Sequence, residues 1–483
     1  MELALTIDAA LPDPLHHQVY AQLRQAILSG RLSPGQRIPA SRALAKSLGL
    51  SRTTVTQGYD QLIDEGYLHT QPGAGTYVCK LPPRLLEADS PEPPQPVSRH
   101  IALSTYGQQV DKSPGRPPRS AYDISFRYGQ PALDLFPKEL WRKLLSKHCR
   151  ASSHWLGYEE QAYGHQPLRQ AVASYLQQSR AVRCTPDQVI ITNGSQQALS
   201  LITRLLVNPG DTIATEEPGY RGAAQIFKAN GAHLLPISVD RDGLMVDKLM
   251  HHHQMPRLVY VTPSHQFPTG ALLSLPRRLA LLQWAHQNNV LIVEDDYDSE
   301  YRYGGRPIPS LQGLDSHGSV LYVGTFSKVM FPSIRLGYLV LPQSLVDVFG
   351  KAKWLADRQP PKLTQYALTE FITAGHLDRH LRKMRLCYEQ RRRVLVEALH
   401  QHFGEAVEIF GDSAGLHIMA KLPLQLSDTE AVARAASVGV EICSAQIQYE
   451  VPCCHGDYVF GYTNITEEQI KTGIALIAQA FQP

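Results

Sequence analysis

Long apolar runs are missing from this 483-residue chain, and its cysteines are few. No stretch is apolar enough to cross a bilayer, so we expect no membrane span. A secretion signal begins with basic residues followed by an apolar segment, whereas Glu2 and Asp8 stand in this region, so we expect no such signal. The seven cysteines are scattered, which favours free thiols in a reducing cytoplasm. Cys453-Cys454-His455 does not have the spacing of a structural zinc site, and we predict no metal site.

Acidic residues are absent from Pro14 to Tyr59, although the chain as a whole carries a net charge of only +3. The same stretch contains six basic residues: Arg24, Arg31, Arg37, Arg42, Lys46 and Arg52. Charge of one sign on a small module is typical of a surface that binds a polyanion, although a solvated basic face has the same composition.

Apolar spacing in this stretch predicts three helices and a hairpin. Leu15, Val19, Leu23 and Ile27 recur every four residues, as on one face of an amphipathic helix. A second helix is predicted after Ser41, and a third after Ser51, which is a suitable N-cap. Two strands around Pro72–Gly75 complete an α+β winged helix-turn-helix.

The outward face of the third helix is suited to a DNA major groove. Arginine pairs with guanine, glutamine pairs with adenine, and threonine methyl groups contact thymine. The predicted face consists of Arg52, Thr53, Thr54, Thr56 and Gln57. Ser41, Ser51 and the wing backbone are candidates for phosphate contacts, which position a protein on DNA without reading its sequence.

Dense motifs across residues 14–78 resemble the GntR-type winged helix. They include Ala26–Leu32, Pro39–Arg42, Leu48–Val55 and Gly73–Thr76. The resemblance implies binding to double-stranded operator DNA, with contacts from Arg42 and Arg52 and with Thr54, Gly73 and Gly75 beside them. The side chains of the third helix and its cap add Ser51, Thr53 and Gln57 to the predicted contacts. We therefore predict a DNA-binding domain over residues 1–80.

Nine prolines fall within residues 81–120, and few apolar residues separate them. A loop of this length inside one domain is unusual, and proline keeps a chain extended. We interpret residues 81–120 as an interdomain linker, followed by an effector domain over residues 121–483.

Strand and helix patterns alternate in the remainder of the chain. The predicted strands are Val189–Thr192, Thr212–Thr215, Leu258–Thr262, Val290–Glu294 and Val320–Gly324, and the helices between them include Leu168–Leu176, Gln196–Leu206 and Pro276–Gln287. This alternation predicts an α/β fold with a mainly parallel sheet, whose functional residues lie at the carboxyl ends of the strands.

Three of those strand ends carry polar motifs. Thr192–Gln196 has the composition of a phosphate-binding turn that opens a helix, or of a plain connection. Glu294–Tyr297 offers carboxylates suited to a metal or to a protonated ring nitrogen. Gly324–Lys328, with Arg335 seven residues further on, combines an amine that can bond an aldehyde with hydroxyl and guanidinium groups that can hold a phosphate.

Together these motifs resemble the fold-type I aminotransferases, which depend on pyridoxal phosphate. With the N-terminal module, the chain resembles the MocR/GabR group of GntR-type transcriptional regulators. By resemblance, Lys328 bonds the cofactor, Asp295 faces its ring nitrogen, Tyr297 reaches its ring hydroxyl and Tyr220 stacks on the ring. The phosphate is implied to contact Ser195, Gln196, Thr325, Ser327 and Arg335, and Tyr158 is implied to reach the pocket of a partner subunit.

The chain departs from the aminotransferase pattern at three places. Phe267 stands where many aminotransferases have an asparagine. Aminotransferases commonly have their aspartate and tyrosine three residues apart, whereas Asp295 and Tyr297 are two apart. Asp296 therefore remains an alternative partner for the ring nitrogen. Val459 takes the place of the arginine that usually binds the substrate carboxylate, which argues against efficient transamination.

Two functions follow from these observations. The first is a pyridoxal phosphate-dependent transcriptional regulator, a homodimer without membrane segments, that senses an amine, an amino acid or the cofactor itself. The alternative is an active aminotransferase that carries a DNA-binding module. Steady turnover of one amino acid would favour the alternative.

Overall fold

The computed structural model describes residues 3–80, 101–113, 115, 122–158, 162–305, 308–451 and 456–482. Contacts between Cα atoms divide the chain into two units, Met1–Ala102 and Leu103–Pro483. Most of the predicted linker and the Cys453-Cys454-His455 sequence lie outside the described residues. The domain limits at residues 80 and 120 therefore remain predictions.

Three helices and a hairpin form the first unit. The elements are α1 (Leu15–Leu28), α2 (Ser41–Leu48), α3 (Arg52–Asp64), β1 (Leu68–Gln71) and β2 (Gly75–Val78). The apolar stripe of α1 is buried at Val19, Leu23 and Ile27. Ser51 caps α3, because its hydroxyl accepts a hydrogen bond from the Thr54 amide at 3.0 Å. The predicted winged helix-turn-helix is confirmed.

Helices and strands alternate through most of the second unit. Its helices are α4 (Thr105–Asp111), α5 (Lys138–Ala151), α6 (Gln166–Arg180), α7 (Ser195–Leu206), α8 (Arg221–Ala229), α9 (Val246–Met250), α10 (Leu275–Gln287), α11 (Leu311–Leu314), α12 (Val346–Asp357), α13 (Lys362–Thr373), α14 (His376–Phe403), α15 (Asp428–Ser437) and α16 (Glu467–Ala480). Its strands are β3 (Ile124–Ser125), β4 (Val189–Thr192), β5 (Thr212–Glu217), β6 (His233–Asp240), β7 (Gly243–Leu244), β8 (Leu258–Val261), β9 (Leu291–Asp296), β10 (Val320–Thr325), β11 (Gly337–Val340), β12 (Glu408–Phe410), β13 (His417–Lys421), β14 (Val440–Glu441), β15 (Cys443–Ser444) and β16 (Asp457–Gly461).

An eight-stranded sheet organises this unit, in the order β4-β11-β10-β9-β8-β5-β6-β7. The strands from β10 to β6 are parallel, and β11 runs antiparallel between β4 and β10. Separate apolar clusters pack around the strands, one including Ile190 and Phe349, another including Val261 and Leu281. The predicted α/β fold is confirmed.

A smaller sheet, β12-β13-β16-β15, follows in the chain and carries His417 and Val459. The short helix α4, which the sequence analysis did not predict, packs beside α8 in the second unit. None of the helices in the described part of the chain is long and apolar enough to cross a membrane.

Candidate cofactor pocket and DNA-binding surface

A cavity of about 210 Å³ lies where the predicted motifs meet at the strand ends. Nine of the ten predicted cofactor residues line it: Ser195, Gln196, Tyr220, Asp295, Tyr297, Thr325, Ser327, Lys328 and Arg335. The tenth, Tyr158, lies elsewhere and is 78% exposed. The parallel strands therefore bring residues far apart in sequence to one edge of the sheet.

Lys328 projects into this cavity, and its Nζ donates a hydrogen bond to the Gly129 carbonyl oxygen at 2.7 Å. Burial lowers the pKa of Lys328 below its usual value, although Asp298 and Asp295 oppose that shift. A lower pKa raises the fraction of neutral amine, which is the form that attacks an aldehyde.

Asp295 is buried at the cavity wall, and its two oxygens differ in their partners. The Tyr260 hydroxyl donates to Oδ2 at 2.8 Å. Oδ1 has no hydrogen-bond partner among the described residues. Burial raises the pKa of Asp295 to about 6. A buried carboxylate oxygen without a donor is a suitable acceptor for a protonated ring nitrogen.

Asp296 points away from the cavity, because successive residues of a strand face opposite sides of the sheet. Arg180 Nε lies 2.8 Å from its Oδ2, and the Tyr322 hydroxyl donates to the same oxygen at 2.6 Å. Burial favours the neutral acid, but the Arg180 guanidinium holds the pKa of Asp296 below its usual value. Of the two rivals, Asp295 alone lines the cavity.

The phosphate-binding residues of the prediction meet at the N-terminus of α7. Gly194 precedes this helix with φ of 81°, and the first amides of a helix have no intrahelical acceptor. The Ser327 hydroxyl is buried without a partner among the described residues. Arg335 Nη2 donates to the Asn193 carbonyl at 2.7 Å. Amides, a hydroxyl and a guanidinium thus converge where an anion could bind.

Aromatic side chains form the other walls of the cavity. Phe267 lies with its ring centroid 5.1 Å from that of Tyr128 and 5.2 Å from that of His417. Burial lowers the pKa of His417 well below its usual value, so its imidazole is neutral. The Tyr220 hydroxyl accepts a hydrogen bond from Gln196 Nε2 at 3.1 Å.

The sequence analysis assigned no site role to several lining residues: Tyr128, Tyr260, Thr262, Leu416 and His417. Thr262 ends a predicted strand, so its position was available as a signal. His417 belongs to the smaller sheet and stands in no recognised motif, which leaves its place in the cavity to the tertiary fold.

Val459, on β16, is fully buried in an apolar cluster with Met419 and Ala445. Tyr128 packs against this cluster from the cavity side. The position expected to carry an arginine therefore supports the wall of the cavity and offers no positive charge to a ligand.

Gly129→Ala should destabilise the protein and weaken cofactor binding. Gly129 has φ of 80°, and a Cβ there would lie 2.7 Å from Lys328 Nζ. The backbone strain should lower the free energy of unfolding by about 1–2 kcal/mol. Displacement of the lysine should lower the affinity for the cofactor roughly tenfold. Gly210→Ala is a matched control, since Gly210 has φ of 92° and open space around it. Equal cofactor affinities in the two variants, measured by titration of visible absorbance, would contradict this prediction.

Asp295 should make the stability of the cofactor-free protein depend on pH. Its folded-state pKa of about 6 lies above the value of about 3.9 expected in an unfolded chain. The contribution of the protonated acid is therefore complete below about pH 4 and is lost as the pH rises to about 6. In urea unfolding, the free energy of unfolding of wild type should fall by up to about 3 kcal/mol relative to that of Asp295→Asn as the pH rises across this window. A difference that does not change with pH would refute this expectation.

The predicted DNA contacts lie together on the first unit. Arg42, Ser51, Arg52, Thr53 and Gln57 are exposed on α2, α3 and the turn between them. Thr54 is half-buried, and its hydroxyl lies 2.8 Å from the Ser51 hydroxyl in the cap of α3. At the wing, Gly73 is exposed, and Gly75 lies so close to Arg37 that a Cβ would be 2.6 Å from Arg37 Nε. Arg37 is a further cation at this surface that the prediction had not included.

Comparisons with known proteins match both units. Residues 15–78 match the family described as bacterial regulatory proteins, gntR family, and residues 129–443 match aminotransferase class I and II. The chain is 39% identical over 480 residues to the probable rhizopine catabolism regulatory protein MocR of Rhizobium meliloti, covering 99% of this chain and 96% of that protein. It is 33% identical to the HTH-type transcriptional regulator TauR of Rhodobacter capsulatus, covering 97% and 96%.

Among solved structures, α-aminoadipate aminotransferase LysN of Thermus thermophilus, complexed with N-(5'-phosphopyridoxyl)-L-leucine, is similar to this chain. The TM-score is 0.70 and the identity 28%, over 79% of this chain and 95% of that one. The likeness implies pyridoxal phosphate as the cofactor. Its aldehyde, ring nitrogen and phosphate match the amine of Lys328, the unpartnered Asp295 oxygen and the anion-binding end of the cavity. The chain belongs to the GntR family of transcriptional regulators, in the MocR-type group that joins a winged helix to an aminotransferase class I and II domain.

Proposed function

We propose that this regulator senses a primary amine, an amino acid or pyridoxal phosphate itself at the Lys328 cavity, and that occupancy of the cavity changes its binding to operator DNA. The observation that carries the proposal is the combination of a converged cofactor pocket with an apolar Val459. The pocket keeps the groups that hold the cofactor, while the position expected to bind a substrate carboxylate is occupied by a core residue.

Each group of residues has a separate part in this proposal. Lys328 provides the amine that bonds the cofactor, and Asp295 accepts from the ring nitrogen. The α7 N-terminus, Thr325, Ser327 and Arg335 hold the phosphate. When bound, the cofactor supplies an aldehyde carbon that exchanges one amine for another. Tyr220 and Phe267 shield this carbon from water with their rings.

Lys328 would have two alternative partners in this proposal. It is bonded to the cofactor in one state of the cavity and hydrogen-bonded to the Gly129 carbonyl in the other. If an effector amine took the place of Lys328 on the bound cofactor, the lysine would be free to donate to the Gly129 carbonyl, as it does in the structure. A ligand shifts a conformational equilibrium only through its different affinity for the two states. The turn at Gly129 is the element whose position would differ between them.

DNA binding in this proposal uses two copies of the chain. Arg42, Arg52 and Gln57 of each copy would contact one half-site, as in other dimeric helix-turn-helix proteins. The exposed ring of Tyr158 supports a homodimer, because it lies outside its own cavity and is free to reach a partner's. The expected location is the cytoplasm, where operator DNA is accessible.

Footprinting of the protein on the DNA upstream of its own gene, with and without candidate amines, tests the proposal. We expect one amine or amino acid, or pyridoxal phosphate, to change the protected region or its affinity. Product formation from the same compounds is measured in parallel. Steady multiple turnover of one amino acid, with no effect on the footprint, would establish the alternative aminotransferase function.

A further inference from the structure

A buried histidine and a buried aspartate lie directly behind Tyr297. His265 follows β8, and Asp298 follows β9; their exposed fractions are 2% and 1%. His265 Nδ1 is 3.2 Å from Asp298 Oδ1 and 3.1 Å from Oδ2. A carboxylate can only accept, so the proton between them belongs to Nδ1.

The same histidine contacts the Tyr297 hydroxyl through two of its atoms. His265 Nδ1 lies 3.2 Å from the hydroxyl oxygen, and the hydroxyl donates to the His265 backbone carbonyl at 3.0 Å. Because Nδ1 carries the proton, its N–H is shared between the Asp298 carboxylate and the phenol oxygen. Asp298, His265 and Tyr297 thus form a continuous chain that ends at the cavity wall.

Close packing leaves this chain little freedom to move. A Cβ on Gly415 would lie 2.0 Å from His265 Cε1 and 2.7 Å from Asp298 Oδ2. The Leu416 amide donates to Asp298 Oδ2 at 3.1 Å. The Gly415 carbonyl in turn accepts from the hydroxyls of Tyr303 and Tyr462, each at 2.7 Å. The segment that leads into β13 thereby packs against the pair and fixes its position.

We propose that His265 and Asp298 are positioning residues for Tyr297: Asp298 orients the imidazole, and the imidazole fixes the phenol that faces the cofactor's ring hydroxyl. The inference rests on the proposed cofactor site.

Other titratable groups surround Tyr297, and a pH titration reports on all of them. The groups on neighbouring elements are Glu216 on β5, Asp295 and Asp296 on β9, Lys328 after β10 and His417 on β13. A test must therefore separate an effect transmitted through Tyr297 from a general change of charge.

A metal site is the competing explanation for this cluster. His265, Asp298 and His417 offer ligand atoms within 4.8 Å of one another. However, His417 Nε2 lies 3.1 Å from the Pro268 carbonyl, to which it can only donate, and Asp298 is already bonded to an imidazole and an amide. Hydrogen bonds account for His417 Nε2, His265 Nδ1 and Asp298 without an ion, whereas His265 Nε2 is buried without a partner among the described residues, so the metal content must be measured.

The test is the pH midpoint of the visible absorbance of the cofactor-loaded, full-length protein. With the cofactor bound, the Tyr297 proton that the structure directs at the His265 carbonyl would turn to the ring oxygen, while His265 Nδ1 continues to donate to the phenol. A hydrogen bond donated to the ring oxygen stabilises its anion, so weakening that bond raises the midpoint. We expect His265→Leu to raise it by roughly one unit, the value of one hydrogen bond to a charged group. His265→Asn keeps a donor near the Nδ1 position and should stay close to wild type.

The same substitutions are also made in a Tyr297→Phe protein, which lacks the phenol hydroxyl. If His265 acts through the phenol, His265→Leu should not move the midpoint further in a Tyr297→Phe protein. His265→Leu and Asp298→Asn should likewise be non-additive. If His265→Leu does not fold, judged by circular dichroism, Asp298→Asn takes its place in both backgrounds, because loss of the carboxylate that orients the imidazole should also raise the midpoint. A shift that persists without the phenol overturns the proposal.

The outcomes distinguish the inference from the proposed function. If every His265 variant has the same midpoint as wild type, only the positioning role of His265 is overturned. A wild-type protein that develops no visible band with pyridoxal phosphate overturns the proposed function, and the inference with it. Stoichiometric zinc in the purified protein, measured by elemental analysis, would establish the metal site instead.

Discussion

Lys328→Ala is expected to abolish the visible absorbance that wild type develops with pyridoxal phosphate. The lysine is the only lysine that lines the described cavity, and its amine lies among the groups that match the cofactor. The variant should retain the phosphate-binding end and so bind the cofactor weakly and without a covalent bond. Amine-dependent changes in DNA binding should also disappear, because no group remains to be displaced from the cofactor.

Lys351→Ala is the control for this experiment. Lys351 lies on the exposed surface of α12, paired with Asp347, and its loss should leave the absorbance unchanged. A visible band that persists in Lys328→Ala would refute the assignment of this lysine. Retention of the amine response in the absence of the band would place the effector elsewhere.

Arg52→Ala should weaken binding to the specific operator by roughly 5- to 150-fold, corresponding to the 1–3 kcal/mol of an arginine–guanine pair. Arg52 is the first residue of α3 and is exposed. No ion pair with a carboxylate is found for it among the described residues, so its guanidinium is available for a base. The loss should be larger on operator than on unrelated DNA, since base contacts provide specificity.

Gln61→Ala controls for the stability of the same helix. Gln61 lies near the C-terminal end of α3, more than two turns from Arg52, and donates to Glu65, the residue that caps this end. Operator affinities measured from low to high salt provide a second check, because phosphate contacts make log K fall linearly with log salt. Unchanged operator affinity in Arg52→Ala, or a flat salt response in wild type, would contradict the predicted DNA surface.

Local patterns were sufficient to predict much of this fold. The apolar stripe of α1, the Ser51 cap and the wing glycines each depend on residues a few positions apart, and the structure places them as predicted. The strand segments of the α/β unit were likewise evident from short apolar runs. By contrast, β11 was not predicted as a strand, because its pairing with β4 depends on a segment about 150 residues earlier.

The predicted cofactor residues also divide into those that a local motif indicates and those whose orientation depends on the tertiary fold. Lys328, Asp295 and Ser195 stand in motifs at strand ends, where the parallel sheet must bring them together. Whether Asp295 or Asp296 faces the cavity depended on which side of β9 meets Arg180 and Tyr322. That choice is made by residues on α6 and β10, which no local pattern connects to β9.

The sequence by itself determined that a winged helix-turn-helix precedes an aminotransferase-type domain, and it predicted Lys328 as the residue for pyridoxal phosphate, because these conclusions need only local periodicity and motifs. Only the tertiary structure decided that Val459 is a core residue, that His417 reaches the cavity and that Asp298 and His265 stand behind Tyr297. The physical reason is that these side chains come from β8, β9 and the smaller sheet, which are far apart in the chain. They come into contact only when the folded unit packs these elements together and excludes water between them.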